Sequence, residues 1–173
     1  DAGLTMTYLG VESGSDVVLA DVRKGVTAAE MLEAGRNIVA SGIKLVAMVM
    51  VGLGGKGNGS HEHAKATAKL INQMKPHLLG TLTTVPIEGT ALHRQMEKGD
   101  FKLLDPYDVL DEMKILLENI ELEDLYVDGR HASNLLAIKG LLKNDKPEML
   151  SKINHFLNNK DPNLIGKAYL GRF

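Results

Sequence analysis

The 173-residue chain has no cysteine and no tryptophan, and its aromatic residues amount to only 4%. Without cysteine, neither a disulfide framework nor a thiolate-held metal or cluster can form from this chain alone. So few rings leave no surface of stacked aromatics for reading single-stranded bases. Charge of one sign is also lacking. Lys and Arg number 20 against 22 Asp and Glu, giving a net charge of −2, and the bases are scattered. That excludes the basic footprint on which nucleic-acid binding depends. No apolar run is long enough for a membrane span, and no signal peptide or lipidation signal occurs, so a cytoplasmic location without a membrane partner is expected. Internal repeats, low-complexity tracts and linkers are absent as well, and residues 1–173 are expected to form one domain. The chain has no initiator Met before its first strand pattern, which reads as a fragment of a longer protein.

What is present is ordinary globular composition, 44% hydrophobic and 24% charged, sufficient for a sizeable core. Strand and helix patterns alternate. Residues 5–9 are β-formers, and Gly10 to Gly14 follows with small and polar residues, predicting a buried strand that opens into a tight turn. Ser15 or Asp16 then caps a short helix over 17–23, ended by Gly25. Thr27-Ala28-Ala29-Glu30 has capping-box spacing and precedes an apolar stripe of Met31, Ala34 and Ile38. Residues 44–51 (KLVAMVMV) are nearly all apolar, as in a strand buried on both faces of a parallel sheet. A glycine-rich loop, 52–59, leads to a helix capped by Ser60 and stopped at Pro76, with Ala64, Ala68, Ile71 and Met74 on one face. Residues 78–85 read as a third strand. Thr90 and Gly99 bracket a short helix, and Asp105-Pro106 opens a longer one that buries Val109, Leu110, Met113, Leu117 and Ile120. Residues 125–127 are a candidate short fourth strand. Asp145 with Glu148 caps a last long helix carrying Leu150, Ile153 and Leu157, and Asp161-Pro162 begins a tail.

Strand–helix alternation predicts parallel crossover units, in which ligands sit at the carboxyl ends of the strands. Glu12 stands at such an end. Gly52-Leu53-Gly54-Gly55-Lys56-Gly57 satisfies G-x-G-x-x-G between a strand and a helix, so a Rossmann-like dinucleotide module with a pyrophosphate near His61 is one reading. Against it, the next strand ends in Thr83-Thr84-Val85-Pro86, with no acid for a ribose. A non-catalytic interaction domain is another reading. His61-Glu62-His63 is not H-E-x-x-H, because Lys65 stands where the second ligand would be, and a structural or solvated role is expected. In the polar loop 128–134, His131, Ser133 and Asn134 form either a turn held by Ser133 and Asn134 or a substrate-contacting loop.

The run from Gly10 to Gly25, GVESGSDVVLADVRKG, closely resembles the fourth strand and following helix of radical S-adenosylmethionine enzymes. The branches it is most similar to are the Fe–S oxidoreductases near the methylthiotransferases and the oxygen-independent coproporphyrinogen oxidases. Met48 to Gly55 resembles the family's fifth-strand motif, and Val85 to Leu92 its sixth-strand ending. The resemblance covers roughly residues 4–100. It implies an α/β fold, a partial and incomplete TIM-type barrel of parallel strands, with residues 101–173 as a mainly helical extension. It also implies that Glu12, with Ser13 beside it, reaches the ribose hydroxyls of S-adenosylmethionine and that Lys24 meets the cofactor's carboxylate. Met50 would pack the adenine, while backbone at Gly52 and Val85 edges it. Gly54 and Lys56 depart from the family's proline and acid, and Met48 stands where the coproporphyrinogen branch has an acid. The implied chemistry is reductive cleavage of S-adenosylmethionine at a [4Fe–4S] cluster, giving a radical that abstracts substrate hydrogen. The cluster's ligands would lie in the full-length protein outside this chain, which would itself be inactive. A small-molecule substrate is expected. So is a homodimer through the exposed edge strand 5–10, with barrel-facing residues drawn from Leu45, Ala47, Val49, Val51, Leu82 and Thr84.

Overall fold

The computed structural model describes residues 3–160, so the tail expected from Asp161 lies outside the described residues. The chain begins with β1 (Met6–Glu12), α1 (Asp16–Asp21), α2 (Ala28–Ala40) and β2 (Lys44–Val51). It continues through α3 (Asn58–Met74), β3 (Leu78–Thr83), α4 (Ala91–Lys98) and α5 (Pro106–Asn119). β4 (Tyr126–Asp128), β5 (Lys139–Leu141) and α6 (Leu142–Asn159) complete it. One 5-stranded sheet runs in the order β1-β2-β3-β4-β5. β1 to β4 are parallel, and β5 closes one side antiparallel to β4. The fold is α/β, a partial TIM-type barrel.

Several local rules decide where elements start. Ser15 caps α1, and Thr27 with Glu30 forms a complete capping box on α2. Asp105 accepts from the backbone of Tyr107 and Asp108 ahead of Pro106. Thr90 caps α4, and Gly99 ends it in the left-handed conformation. Two expected caps are corrected. α3 starts before Ser60, behind Gly57, because the Ser60 hydroxyl is drawn to the buried carboxylate of Glu112. α6 starts at Leu142 because β5 runs straight into it, so Asp145 is already inside the helix and reaches back to accept from Leu141 N–H at 2.8 Å. β1 extends to Glu12, past the expected end of the strand, and β3 stops at Thr83, short of Val85.

The core lies between one sheet face and the layer formed by α2, α3 and α5, with α6 packed on α5. Strand alternation sends Val11, Leu45, Ala47, Val49, Val51, Leu79 and Val127 into it. Of the candidates for barrel-facing positions, Leu45, Ala47, Val49 and Val51 are thereby corrected, since they face the helices, whereas Leu82 lies on the opposite face. The opposite face is formed instead by Met6, Tyr8 and Gly10 of β1, Met48 and Met50 of β2, and Leu78, Gly80 and Leu82 of β3, matched by their register. None of their side chains joins the core cluster, and Tyr8 is 69% exposed. Within α2 the buried stripe uses Met31 and Gly35, and Ala34 is exposed.

Candidate functional site

Glu12 closes β1 at an irregularity, the register shifting between Gly10 and Glu12. Its φ of 61° is left-handed, a conformation that costs a residue with a side chain about 1–2 kcal/mol. The backbone turn lays the Glu12 carboxylate back across the strand, where Oε1 accepts from Lys24 Nζ at 3.2 Å. Gly10 makes room for this: a Cβ there would lie 2.5 Å from Glu12 Oε1 and 3.2 Å from Lys24 Nζ. The two side chains are about one-quarter exposed, 24% and 26%, so the pair is reachable from solvent. α1 and the turn after it, in which Arg23 is left-handed and Gly25 has φ 80°, bring Lys24 back to the strand end.

Met50 belongs to the same open sheet face, paired with Leu82 on the neighbouring strand β3, and is half-buried. The structure thus places Glu12 and Met50 near the carboxyl ends of adjacent strands, with Lys24 brought to the first of them from the turn after α1. Val85 follows the end of β3 and is half-buried. Ser13 and Gly52 stand behind this face. Ser13 is fully buried, and Gly52 N–H donates to Glu112 Oε1 at 2.5 Å. Both are committed to the protein's own hydrogen bonds.

Those bonds belong to a buried polar chain that sequence reasoning missed. His63 Nε2–H donates to the Met50 carbonyl at 2.9 Å, which leaves Nδ1 to accept from Ser13 Oγ at 2.8 Å. Ser13 Oγ in turn accepts from Ser15 N–H at 2.9 Å, and Gly14 N–H donates to Thr67 Oγ1 at 2.9 Å. Glu112 Oε1 lies 3.6 Å from His63 Nε2. Burial lowers the His63 pKa, holding the ring neutral. Burial also pushes Glu112 up to about 7, against the lowering effect of the hydrogen bonds from Gly52 and Ser60. The signal for both residues was present in the sequence. His63 and Thr67 share the stripe of Ile71 and Met74 on α3, and Glu112 interrupts the apolar stripe between Val109 and Met113 on α5.

Glu112 also bears on the glycine loop. A protein carboxylate already takes the Gly52 amide and the Ser60 hydroxyl, where a dinucleotide's phosphates would have to compete with it. Gly54 and Gly59 pack on each other, a Cβ at either lying within 2.7 Å of the other's carbonyl oxygen. Their smallness brings loop and helix together.

In the loop after β4, Asn134 Nδ2 donates to the Thr81 and Gly129 carbonyls and its Oδ1 accepts from Thr83 Oγ1. Ser133 Oγ accepts from Thr83 N–H at 3.1 Å and donates to Nδ1 of the exposed His131 at 2.8 Å. The loop is thereby tied to β3. His61 pairs with Asp111 at 2.9 Å on the surface. Among the described residues no group of three or more His, Asp or Glu is placed to hold a metal ion. No helix among them is long and apolar enough to cross a membrane.

A sheet whose parallel strands follow one another in chain order, β1-β2-β3-β4, with helices on one face, is the scaffold of a partial TIM-type α/β barrel. No protein-family model matches this chain, and no curated protein sequence matches it. Solved structures do, in 11 chains. Among them is the archaeal Methanocaldococcus infernus Elp3 with an N-terminal deletion (1-46), with TM-score 0.66 and 19% identity over 91% of this chain. This chain spans 37% of the Elp3 chain's length. At that identity the likeness establishes the fold.

Proposed function

We propose that this chain is the S-adenosylmethionine-holding part of a radical S-adenosylmethionine enzyme whose [4Fe–4S] ligands lie outside this chain. The observation that carries the reading is the Glu12–Lys24 pair at the end of β1, beside Met50, on an open sheet face. The shared fold supports it, since Elp3 belongs to the radical S-adenosylmethionine superfamily. When bound, cluster and cofactor together supply reductive cleavage and radical chemistry. The chain contains no cysteine, so its own contribution is binding and orientation. The Glu12 carboxylate accepts from the vicinal ribose hydroxyls, an acceptor-only group suited to a diol. The Lys24 ammonium offers a point charge to the ligand's carboxylate. The Met50 thioether and methylene groups give a soft apolar surface for the adenine, and Val85 borders it. With net charge −2 and scattered bases, the substrate is a small molecule rather than a polyanion.

Isothermal titration of the chain with S-adenosylmethionine tests this. Weak binding is expected, abolished by Glu12→Gln and by Lys24→Met, with no binding of NAD. Binding of NAD that depends on Gly52 and Gly54, or S-adenosylmethionine binding indifferent to both charge changes, would overturn the reading.

A further inference from the structure

The turn that presents Glu12 is held from behind. Residues 13–15 make almost no use of sheet hydrogen bonds. Instead, Gly14 N–H goes to Thr67 Oγ1, Ser15 N–H goes to Ser13 Oγ, and Ser13 Oγ goes to His63 Nδ1. His63 and Thr67 are four residues apart, so they share one face of α3, and both are buried, at 2% and 1% exposure. Gly14 is seated directly on that helix: a Cβ would fall 2.3 Å from the Ala66 carbonyl oxygen. The other nitrogen of His63 holds the carbonyl of Met50 at 2.9 Å. One imidazole therefore spans the β1 turn and the residue on β2 beside it. Glu12 is left-handed in the midst of this, and a non-glycine residue keeps such a conformation only where its surroundings over-determine it.

We propose that His63 and Thr67 are positioning residues that clamp the 13–15 turn to the Met50 backbone and thereby set the Glu12 carboxylate for the ribose hydroxyls of an adenosyl ligand. The ligand part rests on the function proposed above, whereas the clamp itself does not. Neither residue touches the ligand. Each acts through the turn, so losing one hydrogen bond of the clamp costs binding about tenfold without emptying the core.

The test pairs isosteric and conservative variants of the chain. Thr67→Val removes the acceptor for Gly14 at constant volume, and Thr67→Ser restores it. His63→Asn keeps an acceptor towards Ser13, whereas His63→Gln keeps only the donor towards Met50. Three quantities are read: amide hydrogen exchange at Gly14 and Ser15, the 13C shifts of Glu12 that report its left-handed backbone, and the Kd for S-adenosylmethionine. Thr67→Val is expected to raise Gly14 exchange and the Kd about tenfold each while the melting temperature stays within a few degrees, and Thr67→Ser to restore both. His63→Asn should protect Ser15 better than His63→Gln does. A Thr67→Val chain with unchanged exchange and unchanged Glu12 shifts overturns the clamp, and so does one that loses the turn yet binds as tightly as the parent. If the parent chain binds no S-adenosylmethionine, the ligand reading fails, and exchange with the Glu12 shifts alone decides whether the clamp exists.

Discussion

Glu112 makes stability fall as pH rises, the reverse of what most carboxylates do. In the unfolded chain it titrates near 4.5, and in the fold burial moves it to about 7. Between those values the folded state binds more protons than the unfolded one, so the slope of unfolding free energy against pH is negative. The contribution is complete below pH 4.5 and is lost as pH rises through about 7. At 1.36 kcal/mol per pH unit, the displacement corresponds to roughly 3 kcal/mol. His63, facing Glu112 at 3.6 Å, works the other way. Its lowered pKa gives stability that is present above its ordinary value of 6.5 and fades as pH falls. Below pH 6.5 the two slopes oppose each other, and from there to about 7 the Glu112 loss is unopposed, so wild type should lose stability across that interval. Glu112→Gln keeps an oxygen for Gly52 N–H and an N–H for Ser60 Oγ, and carries no charge. Denaturant unfolding of both proteins from pH 4.5 to 8.5 isolates the Glu112 contribution as their difference. Wild type should lose roughly 3 kcal/mol relative to the variant across that range, about 6–12 °C in melting temperature. A difference that is flat, or that grows in favour of wild type with pH, would refute the buried-carboxylate argument.

Gly10→Ala puts a methyl where Glu12 Oε1 lies, and it should break the Lys24 contact and weaken S-adenosylmethionine binding with little change in melting temperature, as calorimetry and titration can show. Thr27→Ala dismantles the capping box of α2 and should cost about 1 kcal/mol in urea unfolding. Asn134→Ala leaves the Thr83 hydroxyl and two carbonyls without their partner and should cost about 1–3 kcal/mol. His131→Ala, at the exposed end of that loop, should leave stability unchanged. The free outer edge of β1 carries no charge over residues 5–9, and such an edge invites pairing. Light scattering should therefore show self-association that Met6→Lys with Tyr8→Lys reduces, and a strict monomer at high micromolar concentration would exclude it.

The strand–helix order was legible in the sequence because each signal was local: the β-former run of β1, the capping box of α2, Asp105-Pro106 before α5. The strand-end motif likewise pointed to Glu12, Lys24 and Met50, which the fold brings to one side of the sheet. Two kinds of information were not local. Which face of β2 meets the helices depends on where α3 and α5 pack, and a run apolar on both faces gives no parity to read, so nothing local separates Leu45, Ala47, Val49 and Val51, which face the helices, from Leu82, which does not. The fates of Ser60 and Ser13 depended on partners about 50 residues away, Glu112 and His63. A hydroxyl at the expected cap position goes to the stronger acceptor when tertiary packing supplies one.

Every strand in the sheet lies beside the strand that immediately precedes it in the chain. No pairing needs a segment made much later, so the sheet can be laid down in step with synthesis, each finished strand offering its edge to the next. β2 can dock on β1 once α2 is out, and β3 on β2 once α3 is out. Only the antiparallel β5 adds the last row by a short return rather than a crossover. The clamp on Glu12 needs nothing beyond Thr67 and so can form with the second strand, whereas the Glu112 contact waits for α5. The two halves of the polar chain are thus separable in time. A nascent chain stalled after α3 should already protect the amides of Gly14 and Ser15.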